Sequence, residues 1–144
     1  MAPRKRHQKV RPDDLTSSAL FADLDSAELE TAAALGEMVD LERGAILTDQ
    51  GRMALDCYLL MDGTASVFFG NEFVTTVGPG TTVGEMAQMA YRPRSATVIA
   101  DSAISAVHFA AEDFRRLLDE LPTVRARIEA LAEQRAALLR DVRN

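Results

Sequence analysis

The sequence predicts a mainly β fold with flanking helices: an antiparallel β jelly-roll barrel with N-terminal helices and a C-terminal helix pair. Three observations predict it. From Glu37 to Phe109, short apolar runs rich in β-branched and aromatic residues recur, divided by Gly44, Gly51, Asp62-Gly63, Gly70-Asn71 and Gly78-Pro79-Gly80. That spacing is the texture of an antiparallel barrel or jelly roll. Helical composition flanks the run on both sides, over 14–35 and again from Glu112 onward. The chain has 144 residues, 47% apolar and 26% charged, which suits one domain with one substantial core.

Residues 1–13 read as a basic, disordered tail. Arg4, Lys5, Arg6, Lys9 and Arg11 give residues 1–11 a charge of +5, so the overall −6 leaves −11 on the other 133 residues. An acidic body is a poor nucleic-acid surface, so nucleic acid is not an expected partner. The basic start runs into Pro12-Asp13-Asp14 rather than an apolar stretch, so it is not a secretory signal. No apolar run approaches the ~20 residues that span a bilayer. The single cysteine, Cys57, excludes an internal disulfide and sits in an apolar strand-like run, which favours a buried, inert thiol. These features fit a cytoplasmic protein.

The domain is expected over 14–144. Asp14 to Phe21 and Ser26 to Leu35 look helical, with Ser26 as N-cap and Gly36 as the stop. In the β region, Asp62-Gly63 between Tyr58-Leu59-Leu60-Met61 and Ala65-Ser66-Val67-Phe68 reads as a hairpin turn. Two further strands are expected over Ser95–Ala100 and Ile104–Phe109. His108 lies in the second; no serine–aspartate set accompanies it, so a packed or surface histidine is the reading. With His7 and His108 the only histidines, no metal site is expected.

Between those β runs, residues 84–97 read Gly-Glu-Met-Ala-Gln-Met-Ala-Tyr-Arg-Pro-Arg-Ser-Ala-Thr. A strand-like run leads into Gly84-Glu85, about one turn of helix-compatible sequence follows, and Arg94 precedes the next strand. Free N–H groups at a helix start form an anion site, and an arginine beside them adds a planar fork of donors for phosphate. Glu85 would repel a bare anion, but an ionised carboxylate accepts hydrogen bonds from hydroxyls. Phosphate with a vicinal hydroxyl is what a nucleotide offers.

On these residues the chain resembles the cyclic nucleotide-binding domain family, whose phosphate-binding cassette has the pattern F-G-E-x-[AS]-L, a spacer, then R-[ST]-A-[ST]-V. The match is Val83-Gly84-Glu85-Met86-Ala87 and Arg94-Ser95-Ala96-Thr97-Val98, with nine residues from Glu85 to Arg94. The resemblance implies that backbone N–H groups at Gly84, around Met86 and Ala87, and at Ala96 face a cyclic phosphate. It implies that Arg94 neutralises the phosphate, that Glu85 accepts the ribose 2′-hydroxyl, and that Ser95 offers a hydroxyl to phosphate or base. Serine at that place occurs in bacterial cyclic AMP receptors, which implies cyclic AMP as ligand, with cyclic GMP the competitor. Two departures bear on the base. Leu139 and Arg140 stand where the bacterial catabolite activator has adenine-contacting hydroxyl residues, and no aromatic follows Phe114.

The last elements are a helix from Ala111 to Leu121 and a second over 122–143, with Pro122 at its N1 position. Val124, Ile128, Leu131, Arg135, Leu138 and Val142 step by 4, 3, 4, 3 and 4, a heptad spacing with one polar intruder. The family uses this helix as lid and dimer seam, which implies a homodimer; a helix packed on its own barrel would give the same stripe. Arg135 either snorkels to solvent or turns inward to meet Glu85 at the mouth of the site. The resemblance covers about 15–143 and implies a regulatory sensor without catalysis, whose output device lies on another chain or on a longer protein. The alternatives are a jelly-roll interaction module that binds no nucleotide and acts through its last helix, and a jelly-roll enzyme, for which no catalytic set is visible.

Overall fold

A computed structural model of the chain describes residues 4–5, 8–48, 56–84 and 96–143, with backbone only for 4–5 and 138–143. The elements run β1 (Arg4–Lys5), α1 (Pro12–Leu15), α2 (Ser26–Leu35), β2 (Glu37–Leu41), β3 (Ile46–Thr48), β4 (Asp56–Asp62) and β5 (Ala65–Phe69). Then follow β6 (Glu72–Val77), β7 (Thr82–Val83), β8 (Thr97–Ala100), β9 (Ile104–Ala110), α3 (Ala111–Glu120) and α4 (Pro122–Arg143).

The strands form two antiparallel sheets. One has the order β1-β2-β9-β4-β7 and the other β3-β8-β5-β6. Consecutive strands mostly change sheet, so the chain turns corners between layers as in a jelly roll. The expected hairpin at Asp62-Gly63 is such a corner: β4 pairs with β9 and β7, whereas β5 pairs with β6 and β8. Gly63 has φ +88°, and a Cβ there would lie 2.3 Å from the Ala103 carbonyl oxygen. The glycine serves a close crossing of β4–β5 over β8–β9, and Asp101 N–H donates to the Thr64 carbonyl at 2.9 Å across it. The two-residue hairpin sits one strand later, at Gly70-Asn71, where Phe69 pairs with Glu72.

The two sheets enclose one apolar cluster, and the first sheet carries a second on its outer side. Val39, Leu41, Tyr58, Leu60, Val83, Ile104 and Ala106 face inward with Val98 and Ala100 of the other sheet. Their neighbours Met38, Cys57, Leu59, Val107 and Phe109 face outward against Ala32, Phe114, Leu117, Leu118, Val124 and Ile128 of the helices. A strand buried on both faces reads as a continuous apolar run rather than an alternating one, which is the sequence Cys57-Tyr58-Leu59-Leu60. Cys57 is fully buried.

The N-terminal part departs from expectation in three places. The supposed disordered tail contains β1, whose Arg4 and Lys5 pair with Asp40 and Val39; strand pairing needs only backbone groups, and the outer edge of β2 offers them. The first helix spans Pro12–Leu15 alone. Thr16 Oγ1 donates to the Asp13 carbonyl at 2.8 Å, and Ser18 Oγ accepts from Leu20 N–H at 3.3 Å; such local bonds compete with the helix ladder. The N-cap of α2 is Asp25 rather than Ser26. Its carboxylate accepts from Glu28 N–H at 2.8 Å while Glu28 accepts from Asp25 N–H at 3.1 Å, a reciprocal capping box.

Candidate functional site

The described strands that flank the candidate site belong to different sheets, β7 to the first and β8 to the second. β7 is a two-residue strand at the edge of the first sheet, paired through Val83 with Tyr58 and Thr82 with Leu59. Gly84 follows with φ +104°, a conformation that an L side chain rarely adopts and glycine takes freely. The chain is described again from Ala96, whose carbonyl accepts from Thr48 Oγ1 at 2.8 Å before β8 begins. Val83 and Val98 belong to the same enclosed cluster, so the strands on either side of the segment share one core.

Of the residues expected in the site, Gly84, Ala96 and Arg135 are described. Glu85, Met86, Ala87, Arg94 and Ser95 lie outside the described residues, and so does the proposed meeting of Arg135 with Glu85. Arg135 does turn inward. Its Nη1 donates to the Thr82 carbonyl oxygen, two residues before Gly84, and the side chain is partly buried. Val124 and Ile128, the first members of the apolar stripe, are buried in the protein's own outer core, with Leu131 packed against it. That portion of the stripe is spent within the chain; the side chains of Leu138 and Val142 lie outside the described residues.

Three residues with long-range contacts, two of them beside the site, were not singled out from sequence. Thr82 receives Arg135 on its carbonyl; the residue is 3% exposed, and its hydroxyl has no hydrogen-bond partner among the described residues. Thr48 fixes Ala96 from β3, across 48 positions of sequence. Arg127 of α4 donates from Nη1 to the carbonyls of Ala19, Leu20 and Ala22 at 3.2, 3.1 and 2.6 Å. No local motif announces such contacts, because each joins residues distant in sequence.

His108 is packed, as its sequence context suggested. Its Nε2 lies 2.8 Å from Asp56 Oδ2, and its ring centroid is 5.0 Å from that of Tyr58. Among the described residues no three histidine, cysteine or acidic side chains gather as a metal site would require. No described helix is long and apolar enough to cross a membrane.

Comparison with known proteins completes the picture. Residues 38–120 match the family model described as Cyclic nucleotide-binding domain. The fold is similar to that of PKAR CBD2 bound to Sp-2Cl-cAMPS, with a TM-score of 0.82, 24% identity, and coverage of 91% of this chain and 88% of that one. It is similar to the regulatory subunit of a cAMP-independent protein kinase A from Trypanosoma brucei, at TM-score 0.76 and 19% identity, covering 84% of this chain and 45% of that one. The catabolite activator protein of Thermus thermophilus matches at TM-score 0.74 and 26% identity, over 87% of this chain and 62% of the other. The chain thus spans less than two thirds of the latter two proteins.

Proposed function

Because the chain belongs to the cyclic nucleotide-binding domain family, we propose that it is a regulatory sensor that binds a cyclic nucleotide, cyclic AMP in preference to cyclic GMP, and performs no catalysis. The observation that carries this reading is that the family match spans Gly84 to Ala96, with Gly84 held at φ +104° where the binding segment begins. Backbone N–H groups at Gly84, Met86, Ala87 and Ala96 receive the cyclic phosphate and Arg94 balances its charge. Glu85 accepts the ribose 2′-hydroxyl, and Ser95 leaves room for adenine while offering its own hydroxyl. Arg135, anchored on the Thr82 carbonyl, connects the last helix to the strand that feeds this segment. Binding is then transmitted as a shift in how α4 lies on the sheet, since a ligand moves an equilibrium by its differential affinity for two states.

Calorimetric titration with cyclic AMP and cyclic GMP tests the reading. Saturable binding of cyclic AMP, tighter than cyclic GMP, is the expected result. A folded protein that binds neither would favour the second reading, an interaction module that retains the fold without the ligand. That reading has one point in its favour: a protein described as cAMP-independent shares this fold.

A further inference from the structure

The junction between β7 and α4 contains two features that oppose each other. Arg135 of α4 donates a charge-assisted hydrogen bond to the Thr82 carbonyl, which holds the helix on the strand. On the same residue the Thr82 hydroxyl is buried and unpartnered among the described residues. Register shows where it points. Thr82 stands opposite Leu59, paired residues on adjacent strands share a face, and Leu59 belongs to the outer core with Ile128 of α4, against which Leu131 packs. The hydroxyl is therefore shut in on the helix side of the sheet. When α4 lies down, that hydroxyl loses water and gains no partner among the described residues; when α4 lifts, water satisfies it again.

We propose that Thr82 and Arg135 form a latch between β7 and α4, and that the buried hydroxyl of Thr82 sets how readily the latch opens. β7 suits this role because it is a two-residue strand whose strand partner among the described residues is β4. The inference rests on the nucleotide reading only for what the latch serves: Thr82 is two residues from Gly84, and a strand fixed by Arg135 presents the binding segment in one position. Thr82 and Arg135 are thus positioning residues, and the hydroxyl is a calibrated weakness that keeps the helix detachable.

Amide hydrogen exchange of α4, read at residues 131–137 in the ligand-free protein, tests the latch. Valine has the shape of threonine without the hydroxyl, so Thr82→Val should slow exchange there by about fivefold or more, the scale of one unmade buried hydrogen bond. Thr82→Ser keeps the hydroxyl and should give no slowing. Arg135→Met should accelerate exchange at the same amides while leaving those of β9 unchanged. Exchange that is equal in wild type and Thr82→Val overturns the proposal, and so does exchange unaffected by Arg135→Met. Cyclic AMP is then titrated into wild type and Thr82→Val. Slowed exchange in Thr82→Val without binding of cyclic AMP to either protein keeps the latch and removes the nucleotide. Binding to both, with α4 exchange unchanged by the substitution, keeps the nucleotide and removes the latch.

Discussion

At the scale of single residues, position and chemistry separate cleanly. Gly63 and Arg94 illustrate the two kinds. Gly63→Ala puts a side chain at φ +88° and a Cβ 2.3 Å from the Ala103 carbonyl oxygen, so backbone must move. The expected loss is about 2 kcal/mol or more, read as a lower urea midpoint at unchanged slope. Arg94→Ala should instead leave stability near wild type and weaken cyclic AMP by roughly 2–4 kcal/mol, because the bound phosphate would be left without its charge partner. Parallel titration of the two proteins checks it; equal affinities would remove Arg94 from the site. The order Gly84, Glu85, Arg94, Ser95, Ala96 is a local pattern and so can be read from sequence; Glu85, Arg94 and Ser95 lie outside the described residues. Thr82 was not legible, because a threonine in a short run such as Thr81-Thr82-Val83 looks the same whether or not its hydroxyl finds a partner.

At the scale of elements, α4 carries two arginines that donate to backbone carbonyls. Arg127 reaches three carbonyls of the turn at 19–22, and Arg135, eight residues on and so about 12 Å further along the helix, reaches Thr82. Arg125 on the same helix makes only an exposed pair with Glu129 at 3.2 Å, beside Asp119 at 3.5 Å. The two kinds of contact predict different costs. Arg127→Met should destabilise the protein by about 2 kcal/mol, since partly buried carbonyls lose a charged donor. Arg125→Met should change stability by no more than about 0.5 kcal/mol. Denaturation of both variants side by side gives the comparison, and equal effects would deny Arg127 its structural role. The three longer helices and strands β4, β5, β8 and β9 were legible from composition and punctuation. The corner at Gly63 was not. Asp-Gly between two apolar runs signals a tight turn, but nothing local states whether the runs then pair or part into different sheets.

At the scale of the whole molecule, the first sheet is a partition with a core on either side. Sequence reading recovered the jelly-roll class yet could not assign strands to sheets, because strands buried on both faces lose the alternation that would orient them. The two-core arrangement ties ligand capture to global stability: segment 84–96 begins and ends on the enclosed core, while α4 caps the outer one. Cyclic AMP should therefore raise the melting temperature of the whole domain, whereas ATP at matched concentration should do little. Only a ligand that favours the native state stabilises it, and the sequence contains no glycine–lysine loop of the kind that cradles a triphosphate. A larger shift with ATP would contradict the assignment of the site.

The reach of Arg127 also has a consequence in time. Its contacts with the turn at 19–22 close loops of 105 to 108 residues. At a synthesis rate of roughly 5–20 residues per second, residues 12–24 emerge from the ribosome several seconds before the arginine that fastens them. During that interval Leu15, Leu20 and Phe21, all buried in the finished protein, have no α4 to pack beside. Contacts so distant in sequence are also the slow ones in refolding. The first turn of the chain is thus among the last parts to be secured, and a nascent chain halted before residue 127 would carry it as an exposed apolar patch for chaperones to hold.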